Sequence, residues 1–273
     1  MSLYDRLFPP RRYPLPSGAV VEEKRGRAPL IILIVALLAA LSVHVTGFDL
    51  TVLVRKGGKF FDILKAMFPP NAAYLGKIWQ PLWDTIKMSF LGSFVGAVLA
   101  IPFAVAAASN IVTNRVVVFL VRLFLSLVRT LPTLVCALIA TYIFGLGTMA
   151  GTCAIAVFTF AYVGKQLFEI IETVDMGPYE AMEALGATRL QSFLTAVFPQ
   201  VLPTYLSVSL FCLEGNVRYA SILGYVGAGG LGLILNEKIG WREYASVGMI
   251  LLALFVTVFI IETISRAARK RLV

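Results

Sequence analysis

The chain predicts an all-α polytopic membrane protein of about six transmembrane helices, and three observations carry that expectation. Apolar residues make up 59% of the 273 residues and charged ones only 14%, and the mean hydropathy is +0.85, far above a soluble domain. Apolar runs of about 20 residues, enough to cross a bilayer, recur along the sequence. The basic residues behind the net charge of +9 gather at chain ends and at the edges of those runs, as the positive-inside rule expects. Such placement calls for membrane lipid, and no nucleic acid, to explain the charge. Cys136, Cys153 and Cys212 sit inside apolar runs and read as small hydrophobes, without metal spacing or a disulfide framework.

A tail, 1–29, carries Arg6, Arg11, Arg12, Lys24, Arg25 and Arg27 and leads into the first span, 30–48. No small-residue cleavage site follows, so the span reads as an uncleaved anchor with its tail cytoplasmic. His44, the single histidine, reads there as a packed or snorkelling side chain. The loop 49–83 is then external, although Arg55, Lys56, Lys59, Lys65 and Lys77 outnumber Asp49 and Asp62 in it. Phe60, Phe61, Ile63, Leu64, Met67 and Phe68 can form one apolar face, which predicts an interfacial amphipathic helix. Its basic residues would meet lipid head groups or a docking protein, and Pro69-Pro70 would end it.

A five-helix core, 84–266, follows, with spans near 85–109, 116–144, 149–171, 200–222 and 244–265, and then a short basic tail, 267–273. Gly92, Gly96, Ala100, Ala104 and Ala108 recur every four residues in the second span, a ribbon that lets two backbones approach closely. Its partner is either a helix of the same subunit or another copy. Arg122, Arg129 and Pro132 interrupt the third apolar run, which reads as a lead-in helix and a broken crossing. Counted from a cytoplasmic tail, the 109–115 and 172–199 loops and the C-terminus lie inside.

Residues 178–203 read as a helix–glycine–helix. Pro178 suits a first helical position, Glu180 and Glu183 suit the helix N-terminal dipole, and Gly186 suits a left-handed cap. Thr188 can cap a second helix beginning at Arg189. Both helices are short enough to be marginal alone. Ala181, Met182, Ala184 and Leu185 leave an apolar face with nothing nearby in sequence to cover it.

In the fifth span, Glu214 and Arg218 stand four apart and can pair on one face. Counted from Val201, Glu214 lies roughly 20 Å along the helix, which would carry both charges beyond the midplane. Charges at such depth face protein or a wet cavity. Glu214, Asn216, Arg218 and Ser221 are therefore candidates for a substrate path or a gate. Two readings stay open: an ion pair closing an outer gate, or a lining position where Arg218 meets an anion. Five glycines in the nine residues Gly224–Gly232 suit irregular backbone at membrane depth, and Gly227, Gly229 and Gly230 are candidates for gate backbone. No G-x-x-x-x-G-K-[ST] occurs in the chain, so any ATP chemistry belongs to a partner.

Glu180-Ala181, Gly186 and Pro199 match the spacing of the EAA loop of ABC-importer permeases, with Met182, Ala196 and Phe198 departing from it. In that family the loop is a cytoplasmic coupling helix seated in a groove of the ATPase. The resemblance therefore assigns ATPase coupling to 178–198, at Glu180, Ala181, Met182, Leu185 and Gly186. The run N-V-R-x-A-x-x-L-G-x-V-G-A-G-G-L-G, Asn216 to Gly232, resembles the permeases of phosphonate-type ABC importers. Trp83-Asp84-Thr85 and Arg129-Thr130-Leu131-Pro132 extend that likeness.

The resemblance implies a type I importer fold, a homodimer of permeases, two ATPase subunits and an external binding protein. It places the chain in a bacterial cytoplasmic (inner) membrane, multi-pass, both termini cytoplasmic. No cofactor is expected in this chain, since ATP and Mg would sit on the ATPase. The expected solute is phosphonate or a related phosphorus oxyanion; phosphate, phosphite or an amino acid such as methionine is the alternative. A membrane scaffold or an intramembrane enzyme is the reading from a different class. H-E-x-x-H, G-x-S-x-G and paired intramembrane aspartates are all lacking, which counts against an enzyme.

Overall fold

The computed structural model describes residues 11–14, 20–23 and 28–272. The chain divides after Asp62 into two compact units. The first contains a small antiparallel hairpin, β1 (Arg11–Pro14) and β2 (Val20–Glu23), with Arg11 opposite Glu23 and Pro14 opposite Val20. The β-branched Val20-Val21 pair favours a strand, and an all-α reading had not foreseen it. Arg6, Lys24, Arg25 and Arg27 of the expected cytoplasmic tail lie outside the described residues. Helix α1 (Ala28–Thr46) is apolar all round, and Ile31 to Val45 present large exposed side chains. A helix of that kind needs lipid or another protein around it.

Helix α2 (Leu50–Ala66) is amphipathic and crosses the boundary between the units. Its exposed Phe60 and Phe61 meet edge to face, at 5.6 Å between ring centroids.

The second unit holds helices α3 (Leu75–Ala107), α4 (Arg115–Thr130), α5 (Thr133–Phe144), α6 (Thr148–Ile171), α7 (Gly177–Ala184), α8 (Arg189–Ser192), α9 (Phe198–Leu223), α10 (Leu231–Gly240) and α11 (Tyr244–Leu272). Among the described residues four helices are long and apolar enough to cross a membrane, and up to six crossings result if each bent helix pair counts as one. The third apolar run is such a pair. Helices α4 and α5 meet at 86°, because Pro132 holds Leu131 out of the helical region, at φ −72° and ψ 121°.

At about 50 Å, α3 is longer than a hydrocarbon core of about 30 Å. It begins at Leu75, ahead of the span expected at 85, and passes Pro81 and Pro102 without a break.

The ribbon of small residues on α3 packs within the subunit, against α6. A Cβ added to Gly92 would lie 2.8 Å from the Ile155 Cβ, and one on Gly96 would lie 2.5 Å from the Ala156 carbonyl oxygen. Ala100 and Ala104 are fully buried along the same line. Between the same helices and α9 lies a polar clasp. The Asn216 amide donates to Ser93 Oγ at 2.7 Å and to Thr159 Oγ1 at 2.8 Å. Hydrogen bonds of this kind between membrane helices contribute about 0.6–2 kcal/mol each.

Candidate functional site

Three places in the second unit carry the candidate residues: a surface segment at one end, a charge cluster, and a glycine knot at the other end.

The surface segment is built as its local chemistry dictates. Pro178 sits in the first turn of α7, and Gly186 closes the helix at φ +87° with open space where a Cβ would be. A side chain there would meet only backbone strain. Thr188 then caps α8 in a full capping box with Gln191; the T-x-x-Q spacing was its sequence signal. Tyr179 and Met182 turn inward and pack on the main core, so Met182 does not belong to the outward face expected of it. Glu180, Ala181 and Leu185 remain outside, with Leu185 83% exposed and Leu190 and Leu194 exposed further along. This apolar surface has no cover within the described residues.

Behind the segment lies an ionic clasp that sequence reasoning missed. Glu172, just past α6, accepts from the Ser109 amide at 2.8 Å, from the Ser109 hydroxyl and from Arg122 Nη2. Arg122 also donates through Nε to the Ala107 carbonyl at 2.9 Å, at the C-terminus of α3 where a cation is favoured. Its guanidinium lies 4.8 Å from the centre of the Phe168 ring. Partial burial opposes the charge on Glu172, but the Ser109 and Arg122 contacts outweigh it and hold the carboxyl below the usual glutamate range. Asn110 donates to the Ile171 carbonyl at 2.8 Å and Gln200 to the Asp175 carbonyl at 3.1 Å. The connection from α6 into α7 is thus tied to α3, α4 and α9 together.

The charge cluster lies about 24 Å up α9 from its start at Phe198. Glu214 is buried, with only 6% of its side chain exposed, and it holds two cations. Arg218 donates to one oxygen at 2.7 Å and Arg269 of α11 to the other at 3.2 Å. Glu262 of α11 stands 3.9 Å from Arg218 and pairs with Arg266. Arg269 also lies 5.7 Å from the centre of the Phe211 ring. Three guanidinium groups and two carboxylates leave an excess of one positive charge.

Helices α9 and α11 run antiparallel, and Glu262 ends an apolar run on α11 that begins at Ala245. That run is about 25 Å long. The first turns of α9, through Val201 and Tyr205, are buried in the protein core. Helix α11 also runs unbroken to Leu272. The stretch set apart as a tail therefore belongs to the last helix and supplies Arg269. Glu262 and Arg266 were missed, yet they repeat the Glu-x-x-x-Arg spacing of Glu214 and Arg218.

Asn216 and Ser221 turn away from that exposed charge. Asn216 is 1% exposed in the polar clasp, and the Ser221 hydroxyl donates to the Arg218 carbonyl at 2.6 Å. At the far end, Gly227, Gly229 and Gly230 all take positive φ. Only Gly230 also stands against a neighbour's hydroxyl: a Cβ there would lie 2.5 Å from Thr85 Oγ1, which accepts from the Leu231 amide at 2.7 Å. Gly224 and Gly232 cross even more tightly, since a Cβ on Gly224 would fall 2.1 Å from the Gly232 carbonyl carbon. The knot is a close-packed backbone crossing.

A helical body with four helices long and apolar enough to cross a membrane among the described residues defines an integral-membrane protein. The chain belongs to the family of binding-protein-dependent transport system inner membrane components, matched over residues 100–273.

It is 34% identical over 212 residues to the phosphate-import permease protein PhnE of Mycolicibacterium smegmatis, across 77% of this chain and 40% of that one. It thus spans less than half of that relative's length. It is 35% identical over 206 residues to the phosphite transport system permease protein PtxC of Stutzerimonas stutzeri, across 76% of this chain and 74% of that one. Among solved structures, an inward-facing MetNI methionine ABC transporter chain shares the fold at a TM-score of 0.66 and 22% identity, over 74% of this chain and 99% of that chain. The helical type I permease fold expected from the sequence is the observed one, with the short hairpin added to it.

Proposed function

We propose that this chain is the permease subunit of an ATP-driven importer and forms the path of phosphonate or a related phosphorus oxyanion. The cationic excess of the Glu214–Arg218–Glu262–Arg266–Arg269 cluster is the observation that carries this reading, since a net positive cluster suits an anion. The named substrates of the relatives, phosphate and phosphite, belong to the same chemical class. The working assembly is a homodimer of this chain with two ATPase subunits, which hold ATP and Mg, and a binding protein on the opposite face. Both termini are cytoplasmic.

ATP-driven closure of the ATPases pulls on α7 and α8. The Glu172–Arg122–Ser109 clasp passes that motion to α3, α4 and α6, and Gln200 passes it to α9.

Uptake of phosphate, phosphite and methylphosphonate into vesicles reconstituted with all three partners tests the reading. Glu180→Lys and Gly186→Leu are expected to insert and fold nearly normally, because neither position has a packed neighbour. Uptake should nevertheless collapse, and ATPase activity should stop responding to loaded binding protein. Full uptake by both variants at wild-type levels would remove the coupling role. For orientation, in a chain cleared of its native cysteines, Thr113→Cys should resist an impermeant thiol reagent in intact cells while Ala72→Cys reacts; the reverse pattern would invert the topology.

A further inference from the structure

Glu262 and Arg266 have no assigned role, and their exposure is informative. In the single chain, 63% of the Arg266 side chain and 55% of the Arg218 side chain are exposed. Hydrocarbon cannot cover such groups, so the face they share opens to water, to protein or to head groups. The two carboxylates differ. Glu214 is buried and committed through both oxygens, one to Arg218 and one to Arg269. Glu262 is less buried, with 33% of its side chain exposed, and it bridges the two open guanidinium groups: one oxygen pairs with Arg266 and the other stands 3.9 Å from Arg218. Bridging by two oxygens is also what a tetrahedral oxyanion offers, with more charge and more acceptor atoms.

We infer that Arg218 and Arg266 form a binding site for a tetrahedral phosphorus oxyanion on the face shared by α9 and α11, and that Glu262 is its built-in competitor. This rests on the import reading given above. In this conformation Glu262 occupies both cations and prevents the site from trapping its cargo. An arriving dianion displaces the Glu262 carboxylate from one or both guanidinium groups. Glu262 returns when the anion leaves, which favours release over retention. Arg269 is a positioning residue, since it reaches the site through Glu214. A lipid head group presents the same phosphate chemistry, and the test separates the two sources.

Binding of radiolabelled inorganic phosphate to the full chain, purified in a phosphorus-free maltoside detergent, gives the first readout. Glu262→Gln should tighten binding about tenfold and Arg266→Gln should weaken it about tenfold, with Arg266→Lys between wild type and Gln. The neutral pair Glu262→Gln with Arg266→Gln should restore the melting temperature without restoring affinity, which a purely structural ion pair would not do. Wild-type affinity in Arg266→Gln or in the neutral pair overturns the inference. Complete loss of phosphate binding on adding phosphatidylglycerol would assign the site to a head group and overturn it too. Uptake of phosphate, phosphite and methylphosphonate by cells keeps the two readings apart. Normal uptake by Arg266→Gln removes this site alone, whereas no uptake by the wild type removes the import reading beneath it.

Discussion

Two ionic clusters tie this bundle together, and their stoichiometry separates them. At the end near α7, one carboxylate, Glu172, meets one guanidinium, Arg122, and the other hydrogen bonds there run to Ser109 and to the Ala107 carbonyl. Charge is balanced there and the geometry closed. Between α9 and α11, two carboxylates meet three guanidinium groups, and the two guanidinium groups nearest Glu262 are more than half exposed. Buried ion pairs add little net stability over apolar packing but are costly to break singly. A balanced pair is therefore a fastener, and its neutral replacement ought to work. An unbalanced, open one holds charge that its own fold does not use.

The largest effect should come from Glu214→Gln. Glu214 is the carboxylate of the cluster that is almost wholly buried, and two cations lean on it. Removing its charge is expected to destabilise the protein by about 3–5 kcal/mol. Adding Arg218→Gln should recover most of that, because the amide introduced at position 214 still offers Arg269 an oxygen. Transport should not return with it. If the double variant carries solute at the wild-type rate, both clusters are fasteners and the distinction fails.

Arg122→Gln should cost less, about 2 kcal/mol, for the charge-assisted bonds to Glu172 and the Ala107 carbonyl. Here the neutral pair Arg122→Gln with Glu172→Gln should restore both the melting temperature and uptake. Recovery of stability without uptake would mean that the clasp does more than fasten, and would bring the two clusters together.

How much of this was legible in the sequence follows from the range of each interaction. The short helices α7 and α8 were readable because Pro178, Gly186 and Thr188 act on their own neighbours. The pairing of Glu214 with Arg218 was readable for the same reason, being one helical turn apart. Arg269 sits 55 positions from Glu214 and Arg122 sits 50 from Glu172, and no local pattern announces such a contact. The inward turn of Met182 was not legible, since an apolar face on a short helix can turn either way. The hairpin escaped notice because its strands are only four residues each.

The smallest predicted effect is a pH dependence confined to the clasp. The Glu172 carboxyl is held below its ordinary value of 4.5, with the Ser109 and Arg122 contacts prevailing over burial. A group whose folded value is depressed stabilises the protein fully above its unfolded value, and loses that contribution as pH falls through the folded one. The advantage of wild type over Glu172→Gln should thus be constant near pH 7 and shrink as the solubilised protein is melted at about pH 4 and below. Other carboxylates titrate in both proteins and cancel in the difference. The clasp is partly open to water, so the change should be modest beside that of Glu214→Gln. A difference in melting temperature that holds steady down to acid unfolding would show that Glu172 fastens α3 to α6 through its shape and hydrogen bonds, with its charge playing no part.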